Sequence, residues 1–140
     1  MRLEVSPAVM IPRPASEAVA AAAAHRLPKA GGGRVLDLGT GSGCLLLSCL
    51  KRGDRATGVG IDLSELALAV ARRNATAAGF ADRSVLVAGD FGQLESLDIG
   101  QFDVIVSNPP YLATGPSSPQ PNQTASGVQP HVADAMQCSL

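Results

Sequence analysis

Apolar residues along this chain fall into short blocks, and the spacing within each block sets the element it predicts. PASEAVAAAAAHRL, Pro14 to Leu27, reads as a helix, with a proline near its first turn and Pro28 and the Gly31 to Gly33 run placed to end it. RVLDL, Arg34 to Leu38, reads as a buried strand, and Cys44 to Lys51 as a short apolar helix. TGVGID, Thr57 to Asp62, is the next strand. A helix follows to Ala78, with Ser64 as N-cap, Leu63 and Leu68 at the spacing of a hydrophobic staple, and Gly79 suited to the C′ position. VLVAGD, Val85 to Asp90, and FDVIVS, Phe102 to Ser107, complete the series of strands.

Strands that alternate with helical segments build parallel βαβ units, so the predicted class is a doubly wound α/β fold. The rhythm stops after Tyr111. From Leu112 to Leu140, Pro, Ser and Gln account for 12 of 29 residues, and a segment so rich in polar spacers and chain breakers is expected to be largely disordered. The expected organisation is a lead-in and helix over 1–33, a core over 34–111 and a tail over 112–140.

Composition narrows the function classes. With 140 residues, 46% of them hydrophobic, the chain has room for one modest core, and with 3% aromatics and no Trp that core rests on Ala, Val, Leu and Ile. Lys and Arg number 11 against 12 Asp and Glu, without a basic stripe, so the electrostatic footprint of a nucleic-acid binder is missing and a small-molecule or protein substrate is expected. Cys44, Cys49 and Cys138 form no CxxC pair, which suits a reducing compartment and a cytoplasmic location, and Cys44 and Cys49 are expected as buried helix residues. No apolar run reaches the roughly 18 residues of a membrane span, and MRLEV lacks the regions of a signal peptide. His25 and His131 have no neighbours that suggest a base or a metal site, and no metal is expected.

The first stretch with chemistry in it is VLDLGTGSG, Val35 to Gly43. A strand that ends in alternating glycines and enters a helix lets backbone approach a ligand at the carboxyl edge of a parallel sheet, and a nucleotide-like cofactor is the natural occupant. The order is GxGxG, with Gly39, Gly41 and Gly43, rather than the dinucleotide GxGxxG; a tight strand-to-helix turn is the plainer explanation. Asp62 ends the second strand, where a carboxylate can accept hydrogen bonds from both hydroxyls of a ribose. Asp90 is expected to end the third strand beside Phe91, a pairing that suits the amino group and the ring face of adenine, although a loop aspartate would look the same.

With NPPY, Asn108 to Tyr111, added, VLDLGTGSG, VGID, VAGD and NPPY together resemble a class I S-adenosylmethionine-dependent methyltransferase of the branch that modifies an amide or an exocyclic amino nitrogen. MIPRPASE, Met10 to Glu17, resembles the PRP-containing element that precedes the fold in the HemK (PrmC) family, protein-(glutamine N5) methyltransferases acting on peptide-chain release factors. The match runs roughly from Val9 to Leu112. It implies a Rossmann-like fold, S-adenosylmethionine as cofactor, and a glutamine-containing loop of a release factor as partner. Gly39, Thr40, Gly41 and Gly43 would hold the cofactor together with Asp62, Asp90 and Phe91, and Asn108 and Arg13 would reach it as well. Asn108, Pro109, Pro110 and Tyr111 would be catalytic. Glu17 would lie near the active site, a position that also suits a helix dipole. The family usually carries an acidic residue or a threonine where Ala15 and Ser16 stand, and commonly a tryptophan at Phe91. An organellar location is implied if the chain is a eukaryotic homologue.

An amide nitrogen is a poor nucleophile because its lone pair is delocalised, and its two N–H groups need acceptors. The side-chain oxygen of Asn108 and the main-chain carbonyl of Pro109 are suited to accept them, since proline adds an acceptor without a competing donor. Such a site works by positioning and electrostatics rather than by a strong base. Three rivals stay open. An NAD-dependent dehydrogenase would share the glycine turn but leaves NPPY without a task. A nucleic-acid adenine methyltransferase would use NPPY on a flipped base. A shortened chain that binds cofactor without turnover is the third, because the family's domain normally continues past NPPY with three more strands, and poor turnover by the isolated chain is expected on that ground.

Overall fold

The computed structural model of the chain describes residues 2–4, 14–28, 32–108 and 136–137. In chain order the elements are β1 (Arg2–Leu3), α1 (Pro14–Arg26), β2 (Arg34–Leu38), α2 (Cys44–Arg52), β3 (Thr57–Asp62), α3 (Glu65–Ala77), β4 (Ser84–Ala88), β5 (Val104–Ser107) and β6 (Met136–Gln137). Strands β2 to β5 form a parallel sheet in the order β4-β3-β2-β5, and β1 pairs antiparallel with β6. The expected parallel α/β sheet with flanking helices is present, and the strand after the VAGD segment lies beside β2. Apart from Met136–Gln137, the segment 112–140 lies outside the described residues, as do Cys138 and most of the PRP element.

Alternation along β2 sorts the sheet into two faces. Val35 packs with Val104 and Val106 of β5 against Ala20, Ala23 and Leu27 and against the buried row of α2, Cys44 to Leu50. Helix α2 sits so close that a Cβ at Gly58 would fall on Leu46, and the turn before it so close that one at Gly60 would come 2.8 Å from Thr40 Oγ1. Leu36 points the other way and packs with Val59 and Ile61 under Leu94, Leu97, Ile99 and Phe102 of the β4–β5 connection. That connection starts as a 3-10 turn, Phe91–Ser96.

Local signals explain most element ends. Ser64 Oγ accepts the Ala67 N–H at 3.2 Å as the N-cap of α3. At the other end Gly79 takes φ +76, its N–H donates to Thr76 O at 3.1 Å and the Phe80 N–H to Ala75 O at 2.8 Å, the paired bonds of a Schellman motif. The staple is not formed, for Leu68 is fully buried and Leu63 is 68% exposed. Strand β4 also ends earlier than its sequence suggests, at Ala88 rather than Asp90, because Asp90 caps the turn that follows. Cys44 and Cys49 are buried, and burial pushes the Cys49 thiol up to about 12, so it is no nucleophile.

Candidate functional site

Register brings the sequence-marked residues to one edge. Leu38 pairs with both Ile61 and Ser107, and Asp62 with Ala88, so the glycine turn after β2, Asp62 at the end of β3 and Asn108 after β5 share the carboxyl edge of the sheet.

The glycine turn is held from below and from the side. Gly39 and Thr40 both donate their N–H groups to Ile61 O at 2.9 Å. Thr40 Oγ1 and the Leu46 N–H donate to the same oxygen of Asp37, at 2.8 and 3.2 Å. The Gly41 N–H donates to Asp62 Oδ2 at 2.8 Å, and the other oxygen of Asp62 accepts the Ser64 N–H at 2.9 Å. Gly39, Gly41 and Gly43 all take positive φ, at 73, 55 and 78°. Among the described residues, a Cβ built on Gly39 or Gly41 would meet nothing within 4 Å, so these residues leave open space over the turn. These residues fit a nucleoside-bearing cofactor: glycine backbone that a ligand can approach closely, beside a half-buried carboxylate whose oxygens each keep a second lone pair for a hydroxyl donor. Asp62 therefore has a further task beyond the one its position suggested, since it also ties β3 to the turn.

Asp37 is 1% exposed, and burial pushes its carboxyl up to about 6, against the pull of its bonds from Thr40 and Leu46. It lies inside VLDLGTGSG, on the strand face that alternation assigns to the helices, and a polar residue on that face is the signal that marks it. Asp90 is exposed, and its Oδ1 accepts the Gly92 N–H at 2.8 Å, a local cap. The backbone of Phe91 begins that turn. Asn108 is half-buried, and its Nδ2 donates to Ser16 Oγ at 3.1 Å. Ser16 is 6% exposed in the first turn of α1, beside Glu17, so the bond ties that helix to the end of β5. Arg13, Pro109, Pro110 and Tyr111 lie outside the described residues. Among the described residues, no group of three His, Cys, Asp or Glu is placed to hold a metal ion, and no helix is long and apolar enough to cross a membrane.

The methyltransferase small domain family matches residues 17–123. A protein of Rhodospirillum rubrum named release factor glutamine methyltransferase is 42% identical over 122 residues, which are 87% of this chain and 34% of that protein. One of the same name in Bradyrhizobium diazoefficiens is 48% identical over 111 residues, 77% of this chain and 36% of that protein. The chain thus spans about a third of the length of these curated relatives. Their names bear out the resemblance to the HemK family. Among solved structures, an RNA methyltransferase from Salinibacter ruber in complex with S-adenosyl-L-homocysteine is 28% identical, with a TM-score of 0.57 over 71% of this chain and 60% of that one.

Proposed function

Because the chain belongs to the methyltransferase small domain family, we propose that it is the cofactor-binding part of an enzyme that transfers the methyl group of S-adenosylmethionine to the side-chain amide nitrogen of a glutamine in a peptide-chain release factor. One observation carries the reading: the open space over Gly39 and Gly41, with Asp62 at its rim and Asn108 on the same edge. The relatives' names support the substrate, and the cofactor product bound in the Salinibacter structure supports the cofactor.

When bound, the cofactor supplies a methyl carbon activated by a sulfonium sulfur, which leaves as a thioether. The chain's own residues hold and aim the amide. The bond from Asn108 Nδ2 to Ser16 occupies the donor end of that side chain, so the acceptor end is the one a substrate N–H can use. With the Pro109 carbonyl as second acceptor, both amide hydrogens are bound and the nitrogen lone pair is fixed in direction, which is a gain in orientation rather than in basicity. Asp62 would hold the ribose, Gly39, Thr40, Gly41 and Gly43 would line the cofactor with Arg13 from the PRP element, and Asp90 and Phe91 would bind the adenine. Pro109 would bias Asn108 away from the helical region, and Tyr111 would pack its ring on the amide. The scattered cysteines, with no CxxC pair among them, support a reducing, cytoplasmic setting.

The Salinibacter neighbour favours a second reading, transfer to a base of a nucleic acid, against which the net charge of -1 stands. Labelled S-adenosylmethionine incubated with a complete enzyme that carries this segment and either a release factor or total RNA separates them. Label on a release-factor glutamine supports the first, and label on RNA alone replaces it with the second.

A further inference from the structure

We propose that Asn74, which the mechanism above does not use, is a positioning residue for the cofactor site: it holds the Ser42 carbonyl of the glycine turn and couples that turn to the amino-terminal strand β1. The inference rests on the cofactor reading for its consequence but not for its geometry.

Asn74 lies in α3 on the stripe of Val70, Ala71 and Ala75, where the helix period calls for an apolar residue, and it is 2% exposed. A buried amide at such a place costs free energy unless its donors and acceptor are satisfied. Here they bond only to main chain. Asn74 Nδ2 donates to Ser42 O and to Glu4 O, both at 2.9 Å, and Asn74 Oδ1 accepts the Glu4 N–H at 2.6 Å. The two bonds to Glu4 copy those a neighbouring strand would make, and they continue β1, whose Leu3 is 2% exposed in the core. The adjacent Arg73 adds a paired contact to the Glu4 carboxylate, at 2.7 and 2.8 Å.

Ser42 stands between Gly41 and Gly43, both at positive φ. Glycine restricts its own backbone so little that the direction of the intervening carbonyl is not fixed by local sterics. Asp62 fixes the Gly41 N–H, and Asn74 fixes the Ser42 carbonyl one residue on. One rigid amide from α3 therefore sets the second half of the turn, and any disturbance of β1 reaches the turn through the same side chain.

The test uses the whole chain and three variants. Asn74→Leu removes all three bonds, Asn74→Asp keeps the size and the acceptor but loses both donations, and Arg73→Ala loosens Glu4 while sparing the bond to Ser42. Affinity for S-adenosylmethionine is measured by calorimetry, and the Gly43 amide nitrogen shift, which responds to the hydrogen bond on the preceding carbonyl, by NMR. We expect Asn74→Leu and Asn74→Asp to weaken binding tenfold or more and to move the Gly43 signal, with Arg73→Ala changing binding less than threefold. A folded Asn74→Asp chain with the wild-type Gly43 signal and affinity within twofold overturns the proposal, even if Asn74→Leu does not fold. A wild-type chain that binds no S-adenosylmethionine sinks the functional reading instead, and the Gly43 signal then decides alone whether Asn74 holds the turn.

Discussion

The two edges of the parallel sheet are tied by different charged groups. At the carboxyl edge these are carboxylates: Asp37 takes the Leu46 N–H in the first turn of α2, and Asp62 takes those of Gly41 and Ser64. At the amino edge two guanidiniums donate, beside Asp103, whose Oδ2 accepts the Arg34 N–H at 2.8 Å. Arg83 Nη1 donates to Gly53 O at 2.9 Å and to Asp54 O and Ala56 O at 3.2 Å, just past the end of α2. Arg34 donates to Ile99 O and Gln101 O at 3.0 Å and stacks over the Phe102 ring. The division follows the helix direction, since helix N-termini present unpaired N–H groups and favour negative charge while C-termini present carbonyls and favour positive charge. What differs is the remaining capacity. Arg83 Nη1 is already shared among three carbonyls, whereas a carboxylate that has accepted one N–H per oxygen can still accept from a ligand hydroxyl.

The largest expected effect tests the buried member of the carboxyl edge. Asp37 is raised from 3.8 to about 6, so the folded state binds its proton more tightly than the unfolded chain does. The stability it contributes is fully present below pH 3.8 and is lost as pH rises through about 6. Asp37→Asn can keep the two accepted bonds and removes the titration. Urea unfolding at pH 4 and pH 7 should show the wild type losing on the order of 3 kcal/mol relative to the variant, because each tenfold difference in proton affinity between the folded and unfolded states is about 1.36 kcal/mol. Glu4, held low by its hydrogen bonds from Arg73, slopes the other way but is common to both proteins. Parallel pH curves for the two would show that Asp37 is not buried as a charge.

Next in size is Asp62→Ala, which should weaken S-adenosylmethionine by about 1.5 to 3 kcal/mol, the range for charge-assisted hydrogen bonds. Arg83→Met, at the opposite edge, should leave that affinity unchanged and lower unfolding stability by about 1 to 2 kcal/mol. Equal losses of cofactor affinity in calorimetry on the two variants would erase the distinction between the edges.

The elements are legible where a local rule acts alone. Strands β2 and β3 end where their apolar runs end, and Ser64 and Gly79 bracket α3 by capping chemistry that is visible residue by residue. Local pattern fails where a residue serves a partner far along the chain. Nothing local shows that Asn74 meets Ser42 and Glu4, or that Ser16 meets Asn108, across separations of 32, 70 and 92 residues. Leu63 obeys the staple spacing and still stays exposed, because spacing gives proximity along a helix but not the direction in which the preceding residue leaves it. Asp90 misleads for a related reason, since an aspartate that caps a turn and one that ends a strand follow the same apolar run.

The smallest effect is expected at Asp90, and it sharpens the comparison within the carboxyl edge itself. The Asp62 side chain reaches Gly41, 21 residues away along the chain, while the Asp90 side chain accepts from Gly92, two residues on. Losing a cap of that kind costs about 1 kcal/mol or less. Asp90 is exposed, so water can replace a ligand group there at little cost, and a bond from it to adenine would add less affinity than one from a half-buried carboxylate. Asp90→Ala should therefore weaken S-adenosylmethionine by a few-fold and stay well short of Asp62→Ala in the same calorimetric titration. If Asp90→Ala matches or exceeds Asp62→Ala, affinity resides at the end of β4, and the glycine turn with its carboxylate is a structural corner rather than the centre of the site.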